Sequence, residues 1–209
     1  MLGSFRLSCL CGWLILSFPA IAGADWHFTP LIGITFVGDT TIVDLEDGSG
    51  NVHWNFGGAV SLVPRGPLGI EGLFVYTPHF FESDTADSVN GSPALKPLLG
   101  SKTFALMGNI LLTTPLRWNE YGLRPFLSGG LGLLHVDQQT TQPNAFSFSR
   151  NYLAYNLGGG AIGFITDRAG LRFELRYFNI VQHPDDPRIS IGPVHLNYWT
   201  GEIGVVFKY

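Results

Sequence analysis

The chain has 209 residues, of which 45% are hydrophobic, 13% charged and 13% aromatic, with 27 Gly and 13 Pro. A soluble domain carries roughly a quarter charged residues, so this chain is short of groups that wet a surface. Its formal net charge of -4 argues against a nucleic-acid binder, and its mean hydropathy of +0.21 argues against disorder.

Residues 1–24 read as an export signal. Arg6 is the sole charge before Asp25, an apolar stretch runs from Cys11 to Phe18, and Ala20, Ala22 and Ala24 form overlapping A-x-A sites. Cleavage is expected after Ala22 or Ala24, leaving residues 25–209 as one domain. The apolar stretch is shorter than the ~20 residues of a spanning helix. Cys9 and Cys11 leave with the signal, so no thiol, disulfide or Cys metal ligand is expected in the exported chain. No later segment offers ~18 uninterrupted apolar residues. The exported chain is therefore soluble, or it crosses a membrane as strands.

Strand signals then recur with period two. Trp26, Phe28, Ile32, Ile34 and Phe36 share one face of the first; Trp54, Phe56, Gly58, Val60 and Leu62 mark the second. Leu68, Ile70, Phe74 and Tyr76 mark the third, opposite Glu71. Phe104, Leu106, Ile110 and Leu112 mark the fourth, opposite Thr103 and Asn109. Leu127, Leu131 and Leu133 mark the fifth, opposite Arg124 and Ser128. Leu153, Tyr155, Leu157 and Ile165 mark the sixth, opposite Asn156. In the seventh, Leu171, Phe173, Leu175 and Tyr177 alternate with Arg172, Glu174 and Arg176. The eighth sets Trp199, Gly201, Ile203, Val205, Phe207 and Tyr209 against Glu202 and Val206.

The connections alternate in length. Val63 to Pro67, Thr114 to Gly122 and Thr166 to Gly170 are short turns; Gly38 to Gly50, Glu82 to Gly100, Asp137 to Arg150 and Gln182 to Pro193 are long and polar. Short turns on one rim and long loops on the other are the pattern of a transmembrane barrel, for which eight strands is the smallest number. Trp26, Trp54, Tyr76, Tyr152, Tyr177, Trp199 and Tyr209 at strand ends suit two interfacial aromatic girdles. The expected fold is thus an all-β, eight-stranded antiparallel up-and-down transmembrane barrel.

A soluble up-and-down barrel shares the strand count but would turn its polar face outwards. Glu71, Arg124, Arg172, Glu174, Arg176 and Glu202 fall on one set of faces with balanced signs. That set reads as an ion network filling a narrow lumen, which favours the membrane barrel.

Three segments, VYTPHFFE (Val75 to Glu82), LRPFLSGGLGLLHV (Leu123 to Val136) and NLGGGAIGFITDRAGLRFELRYF (Asn156 to Phe178), together with the closing YWTGEIGVVFKY, resemble the small bacterial outer-membrane barrels of the OmpA-like and OmpX-like group. The resemblance runs from Trp26 to Tyr209. It implies a Gram-negative outer membrane, contact with outer-membrane lipid and lipopolysaccharide, and passage through periplasmic chaperones to the barrel-insertion machinery. It also implies that Val205, Phe207 and Tyr209 act as the C-terminal insertion signal, although the group usually ends in Phe where this chain has Tyr209. Members differ in role, so no single activity follows. A monomer is expected, and no peptidoglycan-binding domain is expected after Tyr209.

Candidate chemistry is sparse. His183-Pro184-Asp185-Asp186 sets a His beside two carboxylates, the materials of water activation, but no second pair accompanies it and an acidic turn is the plainer reading. A lipid deacylase needs a Ser nucleophile beside a His on the lipid-facing exterior; His195-Leu196-Asn197 offers Asn where the hydroxyl is wanted. His27, His53, His79 and His135 read as scattered interfacial residues. Asp39, Asp44, Glu46 and Asp47 are a weak Ca²⁺ candidate, since their spacing departs from the EF-hand pattern. No catalytic residue, cofactor or nucleic-acid contact is expected. The leading expectation is a non-enzymatic envelope protein whose barrel anchors surface loops. The alternative is a narrow channel for ions or small solutes, and a membrane hydrolase is the remote third.

Overall fold

A computed structural model describes residues 24–40, 52–64, 66–80, 101–115, 122–138, 148–181 and 196–209. Eight strands follow in chain order: β1 (Asp25–Thr40), β2 (His53–Val63), β3 (Leu68–Pro78), β4 (Ser101–Thr113), β5 (Leu123–Gln138), β6 (Phe148–Phe164), β7 (Ala169–Ile180) and β8 (Leu196–Lys208). Every neighbouring pair is antiparallel, and β1 pairs with β8 to close the barrel. Closure leaves no open edge, the condition for a sheet to sit in hydrocarbon. Residues 1–23, which fall in the segment expected to be an export signal, lie outside the described residues.

Period-two patterning decides which way each side chain faces. Along β4 burial alternates at every residue: Ala105, Met107, Asn109 and Leu111 are inside, while Leu106, Ile110 and Leu112 are more than half exposed. A surface of Leu, Ile and Phe this continuous is unfavourable in water and favourable against lipid. The charged residues agree. Among the described strand residues, those facing outwards are Lys102 and Asp137, both near the rim of the long connections.

Asp25, Tyr209 and the described strand ends that flank the three short connections share the other rim. There Trp26 and Tyr209 exchange backbone hydrogen bonds of 3.2 and 2.9 Å, and Lys208 Nζ lies 2.8 Å from Asp25 Oδ2. In the β6–β7 turn the Thr166 hydroxyl accepts the Ala169 amide at 3.0 Å, the local side-chain bond that makes Thr a turn residue. Gly122, with φ +70°, enters β5 in a conformation that a Cβ would strain.

Three sequence expectations about faces need correcting. The inward face is not simply polar. Leu31, Leu73, Val75, Met107, Leu134, Phe178 and Tyr198 belong to an apolar cluster in the half of the lumen towards the long connections; Val63, Leu111, Phe126, Ile162 and Val206 form a smaller one near the short turns. Tyr152, expected in a girdle, packs inside against the larger cluster. Its parity in β6 matches that of buried Ala154 and Asn156, so strand position outweighs aromatic preference. His27 is likewise inward and 2% exposed, edge-on to Phe164 at 5.4 Å between ring centroids, rather than interfacial.

Candidate functional site

Two regions gather polar side chains, one inside the barrel and one outside. The inner one lies between the two apolar clusters. β7 places Arg172, Glu174 and Arg176 on the inward face two residues apart, so neighbours of opposite charge stand side by side. Across the lumen, Glu71 of β3 receives Arg172 Nη1 at 2.6 Å and Arg176 Nη2 at 3.2 Å. Glu174 accepts from Arg172 Nε at 2.6 Å and from Arg176 Nη2 at 3.2 Å. Ser61 Oγ and Asn109 Nδ2 donate to Glu71 at 3.1 and 3.0 Å, and Arg176 Nη1 donates to Asn156 Oδ1 at 2.6 Å. Asn156 Nδ2 in turn donates to Asn109 Oδ1 at 2.7 Å. One continuous network therefore joins β2, β3, β4, β6 and β7.

Room for this network comes from glycine. A Cβ at Gly130 would overlap the Gly108 carbonyl oxygen and the Asn109 side chain; one at Gly160 would overlap the Phe173 carbonyl oxygen. The bare backbone at these inward positions lets facing strands and long side chains approach. Arg172 is 1% exposed and Arg176 is fully buried, with the Arg172 guanidinium 4.6 Å from the Phe126 ring centroid.

The six charges expected to share the lumen divide three ways. Glu71, Arg172, Glu174 and Arg176 form the network. Glu202 is buried opposite Glu174 in the β7–β8 register, and neither of its carboxylate oxygens has a donor among the described residues. Arg124 stands apart at the short-turn rim, donating to Thr113 Oγ1 at 2.9 Å and to the Thr114 and Pro64 carbonyl oxygens at 3.2 and 3.4 Å. It holds two turns together.

The outer region was not anticipated. His135, read as isolated, has partners on the barrel's outer surface. His135 of β5 and Asn151 of β6 are directly paired in register, and Nδ1 of the imidazole lies 2.7 Å from Asn151 Oδ1. Ser149 Oγ lies 3.5 Å from Nε2 of the same ring. Phe104 packs against the imidazole at 4.9 Å between centroids. One step nearer the rim, Asp137 pairs with both Lys102 and Ser149 in register, and Lys102 Nζ is 3.4 Å from Asp137 Oδ2. The signal that finds this cluster is parity: positions 135, 149 and 151 share the outward parity of Leu133 and Leu153.

The remaining candidates fall elsewhere. Asp44, Glu46, Asp47, His183, Asp185 and His195 lie outside the described residues, as does the side chain of Asp39. Among the described residues no cluster of His, Cys, Asp and Glu is arranged to hold a metal. Val205, Phe207 and Tyr209 line up on the outer face, Tyr209 being 84% exposed.

No protein-family model matches this chain, and no curated protein matches it. Solved structures do. The Neisserial surface protein A, NspA, is similar with a TM-score of 0.56 at 11% identity, over 90% of this chain and 99% of that one. The outer membrane protein OprG of Pseudomonas aeruginosa gives a TM-score of 0.58 at 10% identity, over 90% and 96%. A major outer membrane protein of Thermus thermophilus gives 0.58 at 14% identity, over 89% and 99%. At these identities the likeness is one of fold: this chain has the fold of the small outer-membrane barrels.

Proposed function

We propose that this chain is an integral protein of a bacterial outer membrane whose barrel is a closed, rigid anchor, so that what it does is done on its outer surface and at its outer rim. The observation that carries this reading is the filled lumen: a bonded layer of Glu71, Arg172, Glu174 and Arg176 with an apolar cluster on either side. An eight-stranded barrel is about wide enough for its own side chains, and these use the space. Outer-membrane lipid and lipopolysaccharide are the neighbours of the apolar belt. The outward row Val205, Phe207 and Tyr209 is the part offered to the insertion machinery, and a monomer suffices because the barrel closes on itself.

A second reading, a narrow ion channel, is favoured by Glu202. Its carboxyl beside Glu174 offers either arginine an alternative partner, and a shift of the arginines would open a path. Planar-bilayer recording of refolded, inserted protein separates the two. The closed anchor is silent. Discrete conductance steps that change on Arg172→Ala or Glu202→Ala would replace it with the channel.

A further inference from the structure

We propose that Ser149, His135 and Asn151 form an acyl-ester hydrolase centre on the outside of the barrel, acting on the fatty-acyl esters of lipids in the outer leaflet. The proposal takes the barrel's membrane placement from the preceding reading but is independent of whether the lumen conducts.

The order of contacts is that of a nucleophile, a base and a residue that orients the base. Asn151 Oδ1 is an acceptor, so its 2.7 Å contact requires the hydrogen on Nδ1 of His135. That leaves the lone pair on Nε2, which faces Ser149 Oγ at 3.5 Å. This is longer than a working hydrogen bond, as unliganded catalytic contacts often are. Phe104 holds the ring on its other side. Asn151 is set by direct register pairing and Ser149 by the alternation of β6, so both stand on strands rather than on loops.

Position selects the substrate. Outward residues of β5 from Leu123 to Leu133, and of β6 from Leu153 to Gly163, make up a lipid-facing band of the ~9–11 residues a tilted strand needs to cross hydrocarbon. His135 and Asn151 are the next outward residues on their strands, and Ser149 follows. The triad therefore sits where acyl chains end and ester carbonyls begin, with water on one side and acyl chains on the other. Lys102, tied to Asp137 in the row of Ser149, supplies a cation at headgroup level for a lipid phosphate.

The chemistry balances with water as the co-reactant. Ser149 Oγ attacks the ester carbonyl carbon while its proton passes to His135 Nε2. The tetrahedral intermediate collapses, the C–O bond to the lipid alcohol breaks, and that oxygen leaves with the proton from Nε2. Water, giving a proton to Nε2, then attacks the acyl-serine ester. The fatty acid is released, and the proton returns to Ser149 Oγ.

The test uses the whole folded protein in mixed micelles, with barrel integrity checked by its heat-dependent gel mobility. A fluorophosphonate should label Ser149 in the parent, and fatty acid should be released. Ser149→Ala should abolish both, and His135→Asn should lower both at least a hundredfold. Asn151→Ala should lower release about tenfold, with Asn151→Asp restoring it. Micelles of phosphatidylethanolamine and of an acylated glucosamine disaccharide, run separately, identify which lipid supplies the ester. Folded parent protein that neither takes the label nor releases fatty acid from either lipid overturns the proposal, as does release that survives Ser149→Ala. Conductance has no bearing on either outcome.

Discussion

The inside and the outside of this barrel are built from the same strands by opposite rules. Inside, Glu71 is held by Ser61, Asn109, Arg172 and Arg176, and each contact depends on that residue at that place. Outside, Leu106, Ile110, Leu127 and Leu131 share a belt in which one aliphatic side chain serves as well as another, because lipid has no directional demands. Identity matters in the lumen and class matters on the belt. The contrast explains how solved barrels with 10 to 14% identity keep the same fold. It also makes polar residues on the outer surface worth notice, since the belt has no use for them.

The largest loss is expected from a change inside the lumen. Glu71→Ala leaves Arg172 and Arg176 both bonded to Glu174, with Glu202 beside it unbonded to either, and should destabilise the barrel by about 3–5 kcal/mol, read as a lowered urea midpoint in lipid vesicles. On the belt, a change of class should cost slightly less: Leu127→Arg, in the middle of the lipid-facing band of β5, is expected to lose ~2–4 kcal/mol, while Leu127→Ile is expected to pass almost unnoticed. If the two Leu127 variants behaved alike, the belt would not face lipid. The smallest effect belongs to the rim. Lys208→Ala removes a partly exposed ion pair with Asp25 and should cost at most ~1 kcal/mol, vanishing in about 1 M salt.

Much of this was legible from period-two alternation alone. The parity of Leu171, Phe173 and Leu175 against Arg172, Glu174 and Arg176 separates belt from lumen with no knowledge of neighbours. What alternation cannot carry is position along the barrel axis and partnership across it. Arg124 and Arg172 share a face, yet one bonds two turns and the other crosses to Glu71, because β5 and β7 set them at different heights. Tyr152 looked like a girdle residue by type and is inward by parity. The His135–Asn151 pair depends on the β5–β6 register across a long connection whose length gives no hint of it. Ser149 and His135, separated by that connection, read as unrelated until the strands are paired.

The seam between β1 and β8 has a consequence for how the molecule must be made. Every other joint in the sheet links strands consecutive in the chain, so each can form as soon as its hairpin exists. The seam joins the first strand to the last. Until β8 arrives, any partly assembled sheet ends in two rows of unsatisfied amides and carbonyls, which hydrocarbon does not tolerate and which invite pairing with a second copy. The sheet therefore closes only when its last strand is in place. A chain arrested before Leu196 should be an aggregating intermediate rather than a smaller barrel.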